Sequence, residues 1–129
     1  MTEGRFGVGR IGQVAVMVAE LPRAVVFYRD VLGMRFLFEV PGMAFFDVGG
    51  IRLMLGVPEK EEFSHSSSII YYDVADLTVA YEALVERGVE FENEPHKVAD
   101  LGDKELWMAF LRDSEGNMLA LMSEVHKAE

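Results

Sequence analysis

The sequence predicts an α+β domain built from two tandem βαβββ units. Three observations predict it: an internal repeat, a helical hydrophobic spacing near the start of each copy, and a run of short β-rich segments after it. Val18, Leu21 and Ala24 recur as Val74, Leu77 and Ala80, and Gly33 recurs as Gly88. Further on, Met43-Ala44 is echoed by Met108-Ala109. The chain of 129 residues holds 50% hydrophobic and 26% charged residues, enough apolar mass for one packed core and little room for a second domain. The whole of 1–129 is thus one domain, with repeat 1 at about 11–57, repeat 2 at about 67–124, and residues 1–10 as a flexible leader.

In the first copy, residues 13–18 (QVAVMV) are apolar and β-branched, as a strand requires. Pro22 can open a helix because its missing N–H falls where no intrahelical partner exists. Ala24, Val25, Tyr28, Val31 and Leu32 follow at helical spacing, and Gly33 supplies a C-cap. Strands are expected near 34–40, 43–48 and 51–56, separated by Pro41-Gly42 and Gly49-Gly50. The second copy predicts a strand at 69–74 and a helix at about 76–87, capped by Asp76 and closed by Gly88. Its strands are expected near 89–95, 106–112 and 117–123, with a loop over 96–105 and a turn over Asp113-Ser114-Glu115-Gly116-Asn117. The segment VPEKEEFSHSSS between the copies reads as an exposed, charged linker.

Charge narrows the partners. Seven basic residues stand against eight acidic ones in 1–63, and five against fourteen in 64–129, for a net −10. A surface so acidic disfavours nucleic acid and anionic membranes, both of which are bound through phosphate. Counted globally, it favours a cationic small ligand. No stretch approaches the roughly 20 apolar residues of a membrane span, and the opening MTEGRFGVGR lacks the apolar centre of a signal peptide. With no cysteine there is no disulfide framework, thiolate metal site or thiol nucleophile, which fits a cytoplasmic protein.

Two motifs are decoys. Gly7-Val8-Gly9-Arg10-Ile11-Gly12 spells G-x-G-x-x-G, but it opens a strand where a dinucleotide fingerprint must follow one and open a helix. The acidic clusters Glu59, Glu61, Glu62 and Asp100 to Glu105 lack the twelve-residue ligand pattern of a calcium loop.

The tandem units carrying ELPRAVVFYRDVLGM and FLRDSEGNMLALM resemble the vicinal oxygen chelate superfamily over about residues 11–124. That group includes glyoxalase I, fosfomycin- and bleomycin-resistance proteins and extradiol dioxygenases. The resemblance implies that each copy curls into a half-barrel and that the two enclose a cleft. It also implies metal ligands on the first and last strand of each copy, at Gln13, Met54, Ile69 and Ala120. Of these only Gln13 offers an oxygen; methionine is a soft, weak ligand, and isoleucine and alanine offer nothing. A Lewis-acid site needs about three protein donors, so no metal and no other cofactor is expected. His65, His96 and His126 show no metal-motif spacing.

Alternation along strands puts Ala15, Met17, Arg52, Met54, Ile69, Tyr71, Asp73, Met118, Ala120 and Met122 on the face that carries Gln13. Methionines suit adaptable binding surfaces, and they equally suit a closed core. Trp107, the single tryptophan, stands beside a polar stretch containing His96, Asp103, Lys104 and Glu105, where an aromatic plane next to a titratable group can hold a flat ligand or simply pin the loop. Gln13, Met54, Tyr71, His96 and Trp107 form the candidate ligand-binding set. The function expected is metal-free binding of a small organic molecule, in a homodimer that covers the sheet edges. A metal-dependent lyase, isomerase or dioxygenase with an unaligned site is the alternative. An acid–base enzyme using His96 or Glu105 is a third class.

Overall fold

A computed structural model describes residues 6–7, 9–58 and 68–127. Its strands and helices fall into two units of like order. The first runs β1 (Gln13–Met17), α1 (Leu21–Val26) continued by a π turn (Phe27–Val31), then β2 (Arg35–Val40), β3 (Met43–Val48) and β4 (Ile51–Gly56). The second runs β5 (Ile70–Asp73), α2 (Leu77–Glu86), β6 (His96–Asp100), β7 (Lys104–Arg112) and β8 (Met118–His126). Each unit forms one four-stranded sheet, ordered β1-β4-β3-β2 and β5-β8-β7-β6. The first and last strands of each unit pair in parallel, and the other pairs are antiparallel. This is the two-half-barrel βαβββ fold that the repeat implies.

Local chemistry explains most boundaries. Asp76 caps α2, its carboxylate accepting the Val79 N–H at 3.1 Å. Gly33 and Gly88 sit just past the helices at φ +74° and +92°, a region open to glycine and strained for other residues. The second-copy strand expected at 89–95 is displaced, however. Those residues make only a single bridge, Phe91 to Leu111, and the ladder begins at His96. Pro95 has no N–H to give a ladder, and only Val89 and Phe91 in this stretch reach the apolar core. The loop expected over 96–105 is instead a hairpin. Leu101 N–H bonds Lys104 O at 2.8 Å, Asp100 accepts the Gly102 N–H at 3.1 Å, and Lys97 lies 3.4 Å from Glu105 across the strands.

Helix α1 binds the two units together. Leu21, Ala24, Val25 and Tyr28 pack on the first sheet with Phe46, Leu53 and Leu55, and Ile70 of β5 joins them. Phe27, Val31 and Leu32 pack against the second core around Leu77, Leu84, Leu111 and Leu121. Its own Ncap residue, Glu20, supplies no side-chain cap. The cap comes from the other repeat: Glu115 accepts the Ala19 and Glu20 N–H groups at 3.1 and 3.0 Å and takes Arg23 Nε–H at 2.7 Å. At the opposite end, Arg87 Nη1 donates to Val31 O at 2.7 Å. A carboxylate thus sits at the positive end of this helix and a guanidinium at the negative end.

The turn that carries Glu115 is held by Asp113. Its carboxylate accepts the N–H groups of Glu115 and Asn117 at 2.8 Å each, the Tyr28 hydroxyl at 2.6 Å and Asn117 Nδ2 at 2.9 Å. Asn117 Nδ2 also reaches Met17 O at 3.1 Å. Burial and the neighbouring Asp113 carboxylate push the Tyr28 phenol far above its ordinary range, so it remains a donor. The expected leader, linker and tail lie partly outside the described residues: 1–5, 8, 59–67 and 128–129, with His65 and the Glu59, Glu61, Glu62 cluster among them.

The Arg23 hydrogen bond, with help from backbone N–H and the Ser114 hydroxyl, lowers the Glu115 carboxyl to about 2. A depressed carboxyl stabilises the fold above its unfolded value and ceases to do so as pH falls toward 2. The wild-type chain should therefore lose stability on acidification from about pH 4.5, and Glu115→Gln should flatten that loss. Glu115→Ala should cost about 2 kcal/mol at pH 7, since it strands a charge-assisted set. Urea titrations at pH 7 and pH 3 check both.

Candidate functional site

The faces of the two sheets that look away from the helices carry the candidate residues. On the first sheet, register places Gln13 beside Arg52, Asp47 and Arg35 in one row, and Ala15 beside Met54, Phe45 and Phe38 in the next. Arg52 Nε–H donates to Gln13 Oε1 at 2.9 Å, and Gln13 Nε2 lies 3.9 Å from Met54 Sδ. The same guanidinium carbon sits 5.3 Å from the centre of the Phe45 ring. Phe45 in turn stacks on Phe38, ring centres 4.6 Å apart. Gln13, Arg52 and Phe38 are exposed.

On the second sheet Tyr71 shares a row with Ala120 and Phe110, meeting the latter edge to face at 6.0 Å. His96 pairs with Met108, which pairs with Met122, which pairs with Asp73, so His96 stands on the same face one row away. His96 Nδ1 lies 2.9 Å from Glu94 O. Gln13 and Met54 are thus brought together on one sheet, and Tyr71 and His96 on the other. Among the described residues, the hydrogen bonds that join the repeats run through α1, the Asp113 turn and Arg87, and none links these two faces.

Trp107 is set apart from the other four. It pairs with Ser123 and Lys97, and strand alternation turns it toward α2, where it packs with the second core. Its indole N–H donates to Glu105 at 3.1 Å beside a groove of about 630 Å³ bordered by Leu77, Tyr81 and Ser123. Glu105 shares that side, so it and His96 stand on opposite faces of the sheet. Two smaller cavities lie at the joint between repeats: one of about 200 Å³ beside Tyr28, Tyr72 and Met118, and one of about 240 Å³ beside Met17 and Glu115. Burial raises the Tyr72 phenol to about 12.

The four positions implied for a metal do not fit one. Arg52 holds the Gln13 amide oxygen, Ile69 lies just ahead of β5, and Ala120 is wholly buried with no donor atom. A guanidinium at that oxygen also repels a divalent cation. Among the described residues, no three His, Asp or Glu side chains gather as a metal set. Sequence reading placed Arg52 on this face without its bond to Gln13. The aromatic runs Phe36-Leu37-Phe38 and Phe45-Phe46 were the available signal for the ring stack.

Tandem βαβββ units with such paired faces define a glyoxalase-type protein. Residues 10–121 match the Glyoxalase/Bleomycin resistance protein/Dioxygenase superfamily, and the chain belongs to it. It is 28% identical to the uncharacterized protein YraH of Bacillus subtilis, over 84% of this chain and 94% of that one. Among solved structures it is similar to a member of the same superfamily from Sphaerobacter thermophilus, with TM-score 0.74, 23% identity, and 90% and 98% of the two chains covered. It is also similar to a lactoylglutathione lyase from Agrobacterium tumefaciens, with TM-score 0.72, 19% identity, and 91% and 95% covered. At these identities the structural likeness speaks to fold. No helix among the described residues is long and apolar enough to cross a membrane.

Because Trp107 belongs to the helix side, Trp107→Phe should lower stability by about 1–2 kcal/mol through lost packing and hydrogen bonding. Urea titration of the purified variant checks this.

Proposed function

We propose that the chain binds a small, flat or partly apolar organic molecule on the sheet faces opposite the helices, without the metal its superfamily resemblance implies. The observation that carries this reading is the Arg52–Gln13 bond, which occupies the one oxygen left in the inherited ligand set. Binding needs only a complementary surface, and ligand sites are mostly apolar with a few convergent polar groups. Met54, Phe45 and Phe38 supply the apolar part on one sheet, with Gln13 and Arg52 as polar groups. Tyr71 and Phe110 supply an aromatic part on the other, with His96 at its margin.

A homodimer belongs to the same proposal. Phe38, Val40, Ile69, Tyr71 and Val98 are all exposed, apolar side chains that a second copy is suited to cover.

Three outcomes test the proposal. Met54→Trp should weaken binding of an apolar aromatic probe while the melting transition persists, since the larger side chain crowds the surface beside Gln13 and Arg52. Elemental analysis of chelator-free protein should find well under one Zn, Ni, Mn or Fe per chain; one tightly held ion per chain would defeat the metal-free reading. Light scattering at micromolar concentration should return close to twice the 14.5 kDa of the single chain.

A further inference from the structure

We propose that Arg52 stands in for the divalent cation the resemblance implies: its guanidinium, docked on Gln13, holds a carboxylate of an aromatic ligand whose ring lies against Met54 and the exposed Phe38. The inference rests on the binding reading above and names its ligand class. It begins with the disagreement between the implied metal site and the side chains present. A metal at Gln13 would place positive charge against the amide oxygen, and Arg52 Nε–H places positive charge there instead, at 2.9 Å. That bond fixes the guanidinium through one edge only. Its two terminal nitrogens keep the forked donor geometry that matches a carboxylate. Among the described residues no carboxylate lies within 4.0 Å of Arg52, and the nearby Asp47 has Arg35 as its partner at 4.0 Å.

Local charge agrees. The row Gln13–Arg52–Asp47–Arg35 carries two cations and one anion, although the chain as a whole is at −10. The acidic excess lies in the second half of the sequence, so the global preference for a cation does not describe this face. In the adjoining row, the exposed Phe38 ring, backed by the buried Phe45 ring stacked on it, and the Met54 thioether offer apolar surface. An anion next to an aromatic plane is the chemistry that this pairing recognises. A divalent cation is disfavoured by the same guanidinium.

The test is nuclear magnetic resonance titration of the full chain with benzoate, benzamide and benzylamine, which share a ring and differ in charge. Benzoate should shift the Gln13 and Arg52 side-chain signals and bind at least ten-fold more tightly than benzamide. Arg52→Gln should remove that preference, and Arg52→Lys should restore part of it. Equal binding of benzoate and benzamide, or a preference that survives in Arg52→Gln, overturns the inference and leaves the binding reading standing. Should none of the three probes shift any residue of the Gln13 or Tyr71 faces, both fall together. Arg52 is exposed, and a melting curve for each variant confirms that the fold is intact.

Discussion

The first helix is held at both ends by charges from the other repeat, and the arrangement of the two sheets follows from that. Glu115 closes its N-terminus and Arg87 its C-terminus, while Tyr28 reaches from its middle to Asp113. Exposed ion pairs contribute little, but the Glu115 side chain is only 2% exposed and receives backbone donors as well as Arg23. A shared apolar core alone would leave the sheets free to slide; directional bonds at three points along one helix do not. The π turn over Phe27–Val31 forms part of this seam, with Tyr28 on the first core and Phe27 and Val31 on the second.

Much of this was legible in the sequence, and the exceptions have physical causes. The repeat, the Asp76 cap and the glycine stops are local signals, and local signals fix element type well. The sixth strand was misplaced because GVEFENEPHKVAD contains two short stretches of similar β character, and only the hairpin turn at Gly102 and the Lys97–Glu105 pair decide between them. Trp107 lies near His96 in sequence yet faces away from it, because alternation turns neighbouring strand residues to opposite sides. The RDSEGN turn was recognised as a motif, but its work is long-range. Nothing local announces that Asp113 will meet a tyrosine 85 positions away.

The candidate faces show how a fold outlasts the chemistry it is associated with. Fold and function are separable because the sheet needs only backbone pairing and a filled helix side. The opposite face is then free to vary, and it carries Met54, Ile69 and Ala120 at positions where the superfamily resemblance implies metal ligands. A guanidinium delivers less charge than a divalent ion but needs only a single anchoring oxygen, whereas a metal site needs several donors in one geometry.

The crossed capping of α1 gives the duplicated halves unequal standing. Helix α2 carries its own cap in Asp76 and would keep it in isolation. Helix α1 has no such residue, and cutting the chain between repeats would leave the Ala19 and Glu20 amides just ahead of it without their acceptor. The two copies have ceased to be interchangeable: one brings a self-sufficient helix, and the other depends on its sibling for the ends of its own. Residues 113–117 therefore hold the first repeat as much as the second.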